Sequence, residues 1–220
     1  MGVVLPVRHQ PSLPATMIRA ETPHPEAIEL DVLVVGDGPA GLACAIKLAQ
    51  ANPELAIGVL EKAGALGEHS LSGAVINPSA FRALFPDLKD ADFPFRQSVS
   101  GEAVYYLTEG GATKLPTPPT MKNHGNFVCS LSEAVRWLGE KAEAMGINIF
   151  PGFPAESLLV DGKQVIGVRT TPSGLDREGQ PTDVYQETTD LVARVVVLET
   201  GHRSPSIHGV QINPSLPGGT

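Results

Sequence analysis

The sequence predicts an α/β fold: a parallel sheet with a crossover helix, and a β-meander inserted before the last strand. Three observations predict it. Residues 31–35 (DVLVV) run into three close glycines and then an alanine-rich helical pattern. Residues 55–62 (LAIGVLEK) form a second buried run, the pattern of a parallel strand. Residues 156–171 (ESLLVDGKQVIGVRTT) hold two β-rich runs joined at Asp161-Gly162, a strong hairpin signal.

The elements follow in order. Residues 1–29 contain Pro6, Pro11, Pro14, Pro23 and Pro25 without sustained periodicity, so they are expected to form an extended or disordered arm. Residues 30–201 are expected to form the domain. A helix is expected from Ala40 to Ala51, its small residues suited to close packing on the sheet. With the flanking strands it makes a β-α-β unit, whose right-handed crossover builds a parallel sheet. Residues 63–128 are rich in Pro and Gly and too long for a plain connection, so they are expected to carry ligand contacts. Residues 130–146 read as a helix. Ser130 and Glu133 have capping-box spacing, Leu131, Val135, Leu138, Ala142 and Met145 share a face, and Gly146 ends it. Trp137 lies between the apolar positions and is expected half-buried. Residues 147–153 return as a strand, 173–183 form a turn region, and 191–201 give a last buried strand. Residues 202–220 show no period and are expected to form an irregular tail.

Bulk composition excludes several functions. The chain has 220 residues, 42% of them hydrophobic and 18% charged, enough for one domain with a core. A net charge of −8 argues against a nucleic-acid partner and against attraction to anionic lipid. No apolar run approaches the roughly 18 residues of a membrane span, and the N-terminus lacks a signal-peptide core, so the chain reads as cytoplasmic. Cys44 and Cys129 are far apart and make neither a metal cluster nor a disulfide framework; both are expected to be small buried hydrophobes.

Gly36, Gly38 and Gly41 give G-x-G-x-x-G between a strand and a helix, the context of a Rossmann-like dinucleotide site. The first glycine permits the tight turn, the second lets a pyrophosphate approach the backbone, and the third lets the helix pack on the strand. The helix N-terminus, opening through Pro39 and Ala40, offers amides and a positive dipole end to phosphates. Glu61 ends the second strand twenty residues after Gly41. A carboxylate there accepts hydrogen bonds from an adenosine ribose and repels a 2′-phosphate, which disfavours NADP. Lys62, Gly67, Leu71, Ser72 and Gly73 follow in a loop whose small and hydroxyl residues suit approach to a flavin or its ribityl chain. The inserted hairpin fits flavoproteins better than a plain NAD domain, an argument from analogy of fold. An NAD-binding reductase and a non-catalytic remnant are the alternatives.

These segments together resemble the electron-transfer flavoprotein–ubiquinone oxidoreductase family. The resemblance rests on DVLVVGDGPAGLACAIKLA (31–49), VLEKAGALGEHSLSGAVINPSAFRALFP (59–86), residues 116–159 and GKQVIGVRT (162–170), with LSGAVINP and TMKNHGN the most specific parts. It implies FAD bound at Gly36, Gly38, Gly41, Glu61 and the 67–73 loop, reduced electron-transfer flavoprotein as donor, and a quinone as acceptor. For the full-length family it implies peripheral contact with the inner face of a membrane and a four-cysteine [4Fe–4S] module. Two scattered cysteines do not supply that module's ligands. The family continues its last strand with a helix-forming segment, whereas HRSPSIHGVQINPSLPGGT departs from it; the expectation is a truncated or frame-shifted chain.

Asp37 is a further departure, since the family usually carries Ala or Gly there. It either points away from the phosphates or weakens binding by like-charge repulsion. His69 and His124 suit flavin or partner contact as well as turns, with turn chemistry favoured. Asn123 and Asn126 flank Gly125 as a tight turn would. Ser70 and Ser72 lack a base at recognisable spacing, and no histidine has metal-ligand spacing. No catalytic acid or base is assigned.

Overall fold

The structure is a computed structural model that describes residues 17–162, 164–175, 180–199 and 209–212. The strands in chain order begin with β1 (Ile18–Arg19) and β2 (Ile28–Val35), followed by helix α1 (Pro39–Ala51) and β3 (Ile57–Glu61). β4 (Ala74–Ile76), α2 (Ser79–Leu84), β5 (Phe95–Ser98), β6 (Val104–Thr108), β7 (Gly111–Leu115) and β8 (Phe127–Cys129) come next. Helix α3 (Leu131–Glu143) leads to β9 (Asn148–Pro151), β10 (Ala155–Asp161), β11 (Gln164–Thr170), β12 (Ser173–Leu175), β13 (Pro181–Gln186), β14 (Asp190–Leu198) and β15 (Gly209–Ile212).

The main sheet runs β1-β10-β11-β14-β2-β3-β9, with β15 also on β14. The strands β14, β2, β3 and β9 are parallel, the arrangement that the β2-α1-β3 crossover imposes. β10 and β11 form the expected antiparallel hairpin, with Gly162 at φ +59 in its turn. β14 pairs antiparallel with β11 along its first half and with β15 along its second.

Each face of the sheet has its own core. Val32, Val34, Ile57 and Val59 face α1 and α3, meeting Leu42, Ala45, Ile46, Val135 and Leu138. Leu33, Val35, Leu60, Leu191 and Val196 face the β10–β11 hairpin, meeting Leu158 and Val168. Strand segments covered on both sides must be apolar, which is why Val32–Val35 of β2 and Ile57–Leu60 of β3 read as unbroken apolar runs rather than alternating ones. Burial of a Leu or Ile such as Leu33 or Ile46, both fully buried, contributes about 1.5–3 kcal/mol relative to exposure.

Helix α3 begins where the sequence placed it: Ser130 Oγ accepts from the Glu133 amide at 3.4 Å. Gly146 adopts φ +82 just beyond its end, where Ile147 N–H reaches Ala142 O. Met145 does not join the apolar face: it lies past the last helical turn and is 38% exposed. Trp137 is half-buried against Phe81, Phe85 and Phe93.

Several further expectations need adjustment. Part of the expected arm is built into the sheet. β1 pairs with β10, and Arg169, bound to Asp190, also reaches Glu21. The loop-rich stretch 63–128 contains a small sheet, β4-β8-β5, and the β6–β7 hairpin. Its strands are three to five residues long, too short to show alternation in a single sequence. The turn region 173–183 holds the strand pair β12–β13, and residues 176–179 lie outside the described ones. The segment expected to be an irregular tail includes β15, which pairs with Val195–Leu198 through backbone hydrogen bonds. The rest of that tail, and residues 1–16 of the arm, lie outside the described residues. Cys129 is buried as expected, but Cys44 is only half-buried.

Candidate functional site

The carboxyl ends of β2 and β3 and the start of α1 form the site. This is where open parallel sheets bind ligands, because strand ends and helix N-termini leave backbone groups free there. The three glycines differ in what surrounds them. Gly36 takes φ +110, and a Cβ on it would lie 2.1 Å from Glu199 O. A Cβ on Gly41 would lie 2.1 Å from Gly36 O and 3.3 Å from Val34 Cγ1. Both are glycines because the protein's own backbone occupies the space. Gly38 has an ordinary φ of −58, and a Cβ there would meet nothing within 4 Å. Among the described residues, then, no packing contact requires glycine at 38.

Gly38 is also the N-cap of α1. No side chain caps this helix, its first turn carries no acidic residue, and Pro39 occupies the first position. The positive end of the helix is thus without a side-chain cap or an acidic residue among the described residues. Ala40 is exposed and Pro39 half-buried at this mouth, while Gly41 is buried on the sheet.

Glu61 closes β3 with its side chain buried, 8% exposed. Its Oε1 accepts from the Ala63 amide at 2.6 Å, and its Oε2 from the Asp37 amide at 3.4 Å. These bonds fix the carboxylate beside the glycine loop, where the sequence assigned it to a ribose. His69 Nδ1 lies 3.7 Å from Glu61 Oε1, with its side chain mostly exposed. The sequence favoured a turn for His69; the turn is present, with Ser70 N–H bonded to Gly67 O, and the Glu61 contact is additional.

The second loop is arranged differently. Gly67 is buried at φ +72, and a Cβ on it would lie 2.6 Å from Ser132 O, so this glycine seats the loop on the start of α3. Lys62, Leu71, Ser72 and Gly73 are all exposed, Leu71 by 75%, and Gly73 has open space around it. Asn123 and Asn126 form the tight turn read from sequence: the Asn126 amide bonds Asn123 O at 2.9 Å.

Asp37 resolves the question of direction left by the sequence. It points inward, 7% exposed, and Oδ2 has no hydrogen-bond partner among the described residues. Burial, and then the Glu61 carboxyl beside it, push its pKa up to about 7. The signal was in the sequence as an acid inside a glycine loop, but its neighbour lies 24 residues away.

Comparison with known proteins gives the relationship. The Thi4 family matches residues 16–81. Electron transfer flavoprotein-ubiquinone oxidoreductases are similar over most of this chain. The mitochondrial protein of Dictyostelium discoideum is 38% identical over 195 residues, covering 86% of this chain and 32% of its own length. The Pseudomonas aeruginosa protein is 43% identical over 169 residues, covering 73% and 31%. The chain thus spans about a third of the curated relatives it matches. Among solved structures, a geranylgeranyl bacteriochlorophyll reductase-like protein from Thermoplasma acidophilum covers 80% of this chain and 40% of its own, with TM-score 0.56 and 21% identity. CtdE in complex with FAD covers 80% and 39%, with TM-score 0.52 and 20% identity. These two likenesses establish an α/β fold shared with such proteins. By sequence, the chain is a homologue of the N-terminal part of the electron transfer flavoprotein-ubiquinone oxidoreductases.

Proposed function

We propose that this chain holds FAD as the redox cofactor of an oxidoreductase that takes electrons from reduced electron transfer flavoprotein for delivery to ubiquinone. The observation that carries the FAD site is the contrast within the glycine loop: Gly36 and Gly41 are filled by backbone, while Gly38 is open at an uncapped helix start. Donor and acceptor rest on the names of the relatives. FAD supplies a ring that carries the electrons; the protein supplies its position and electrostatics.

In this proposal Gly36, Gly38, Pro39, Ala40 and Gly41 hold the pyrophosphate against backbone amides. Glu61 holds the adenosine ribose and disfavours a 2′-phosphate. Lys62 and the loop of Gly67, Leu71, Ser72 and Gly73 line the path toward the ring, and their exposure leaves them free to do so. No side chain is assigned as an acid or base. The [4Fe–4S] and quinone chemistry, and any peripheral membrane contact, belong to the part of the family beyond the matched third. Among the described residues no helix is long and apolar enough to cross a membrane.

The test is expression, desalting and a visible spectrum. The proposal predicts flavin bands that survive desalting, or appear on adding FAD. A colourless protein that binds NAD supports the reductase alternative. A folded protein binding neither supports a non-catalytic remnant.

A further inference from the structure

The glycine loop differs from a plain phosphate cradle in holding a carboxyl group. Asp37 stands between its first two glycines, buried, and its amide donates to Glu61 Oε2 at 3.4 Å, which sets the Glu61 carboxyl beside it. Both residues are buried, Asp37 7% and Glu61 8% exposed. An ionised Oδ2 without a donor is strongly unfavourable in such a place. A second negative charge beside it compounds the penalty, because two close buried carboxylates do not both ionise near neutral pH. One proton between them answers both problems. It gives the pair a hydrogen bond in place of repulsion, and it halves the charge facing the cradle.

We propose that Asp37 and Glu61 share a single proton and that the cofactor binds only while they hold it, so that the loop releases its dinucleotide as the pair ionises. This rests on the reading of the loop as an FAD cradle. The open space at Gly38 places a pyrophosphate next to residue 37. With the proton present, Glu61 is free to accept from ribose hydroxyls and the pair carries one charge. Without it, two charges face the two of the pyrophosphate at close range and low dielectric.

Backbone dipoles around the pair favour ionisation, and burial opposes it. From the loop after β3, the Gly67 amide favours ionised Asp37, and His69 approaches Glu61. Lys62 on the same segment is exposed. From the end of β14, the Glu199 carbonyl abuts Gly36, and α1 contributes its positive N-terminal end. Among the described residues, no Lys or Arg ion-pairs with Asp37 or Glu61. The proton belongs to the pair rather than to either residue.

The test is an FAD titration by flavin fluorescence between about pH 5.5 and pH 9, on the unmodified chain and on Asp37→Asn. Circular dichroism at each pH separates folding from binding. The unmodified chain is expected to hold a constant Kd below about pH 6.5 and to weaken toward tenfold per pH unit above about pH 7. Asp37→Asn is expected to keep the low-pH Kd throughout. A flat profile for the unmodified chain overturns the proposal and leaves the cradle standing. The same pH dependence in Asp37→Asn also overturns it. Failure of both chains to bind FAD at any pH overturns the cradle reading and this proposal with it.

Discussion

Two buried aspartates sit in different regions and meet opposite partners. Asp190, where the N-terminal segment crosses β11 and β14, is 2% exposed and fully paired. Arg169 grips it with two bonds, Nε to Oδ1 at 2.8 Å and Nη2 to Oδ2 at 2.9 Å, and the His24 amide adds a third at 2.9 Å. Asp37, in the glycine loop, meets another carboxyl and leaves Oδ2 without a donor. The Arg169 guanidinium holds Asp190 below the usual carboxylate range, while burial and Glu61 hold Asp37 well above it. The first arrangement ties strands and N-terminal segment together. The second costs stability and stands in the candidate site, the kind of place where such costs collect.

The contrast can be broken from either side. The largest effect is expected from Arg169→Ala, which strands a buried charge at Asp190 and should cost about 3–5 kcal/mol in chemical denaturation. A loss below about 1 kcal/mol would mean that the pair is replaceable by water. Asp37→Asn should go the other way. It removes the ionisable group and should raise the midpoint of thermal unfolding near pH 8 by a few degrees, consistent with about 1–2 kcal/mol in a chain of this size. Near pH 4 the same substitution should change little.

The pH dependence has opposite signs at the two sites. Asp37 has a folded pKa of about 7 against 3.8 ordinarily. The folded chain therefore binds the extra proton, and this group's contribution declines as pH rises from about 4 to about 7, then stays flat. Asp190 has a lowered folded pKa. Its contribution is present above about pH 4 and is lost as pH falls further. Stability curves of Asp37→Asn and Asp190→Asn against pH should each lose one limb of the profile. Identical curves would contradict the distinction.

Legibility in the sequence followed the range of each interaction. The glycine loop, Glu61, the Ser130 cap and the Asp161-Gly162 turn were legible because each depends on residues a few positions apart, or on strand–helix–strand order. The β4-β8-β5 sheet was not, because Ala74 pairs with Cys129 and each strand is too short to announce itself. The role of the N-terminal segment was hidden for a similar reason: Arg19 and Glu21 find partners about 140 residues away, at Ser157 and Arg169. β15 is placed by its pairing with β14, not by a pattern of its own. The presence of Asp37 was visible, but its inward direction follows from the packing of β2 beside β3.

Gly38 offers the most direct test of the account. A Cβ there meets nothing within 4 Å among the described residues and the backbone is ordinary, so Gly38→Val should cost only the less favourable N-cap residue, about 1–2 kcal/mol, and leave the chain folded. The same side chain would stand in the path of the pyrophosphate. The measurement is the FAD dissociation constant of Gly38→Val beside that of the unmodified chain near pH 6. The account predicts at least tenfold weaker binding, about 1.4 kcal/mol, in a chain that remains folded. Equal FAD affinity in the two chains would contradict it.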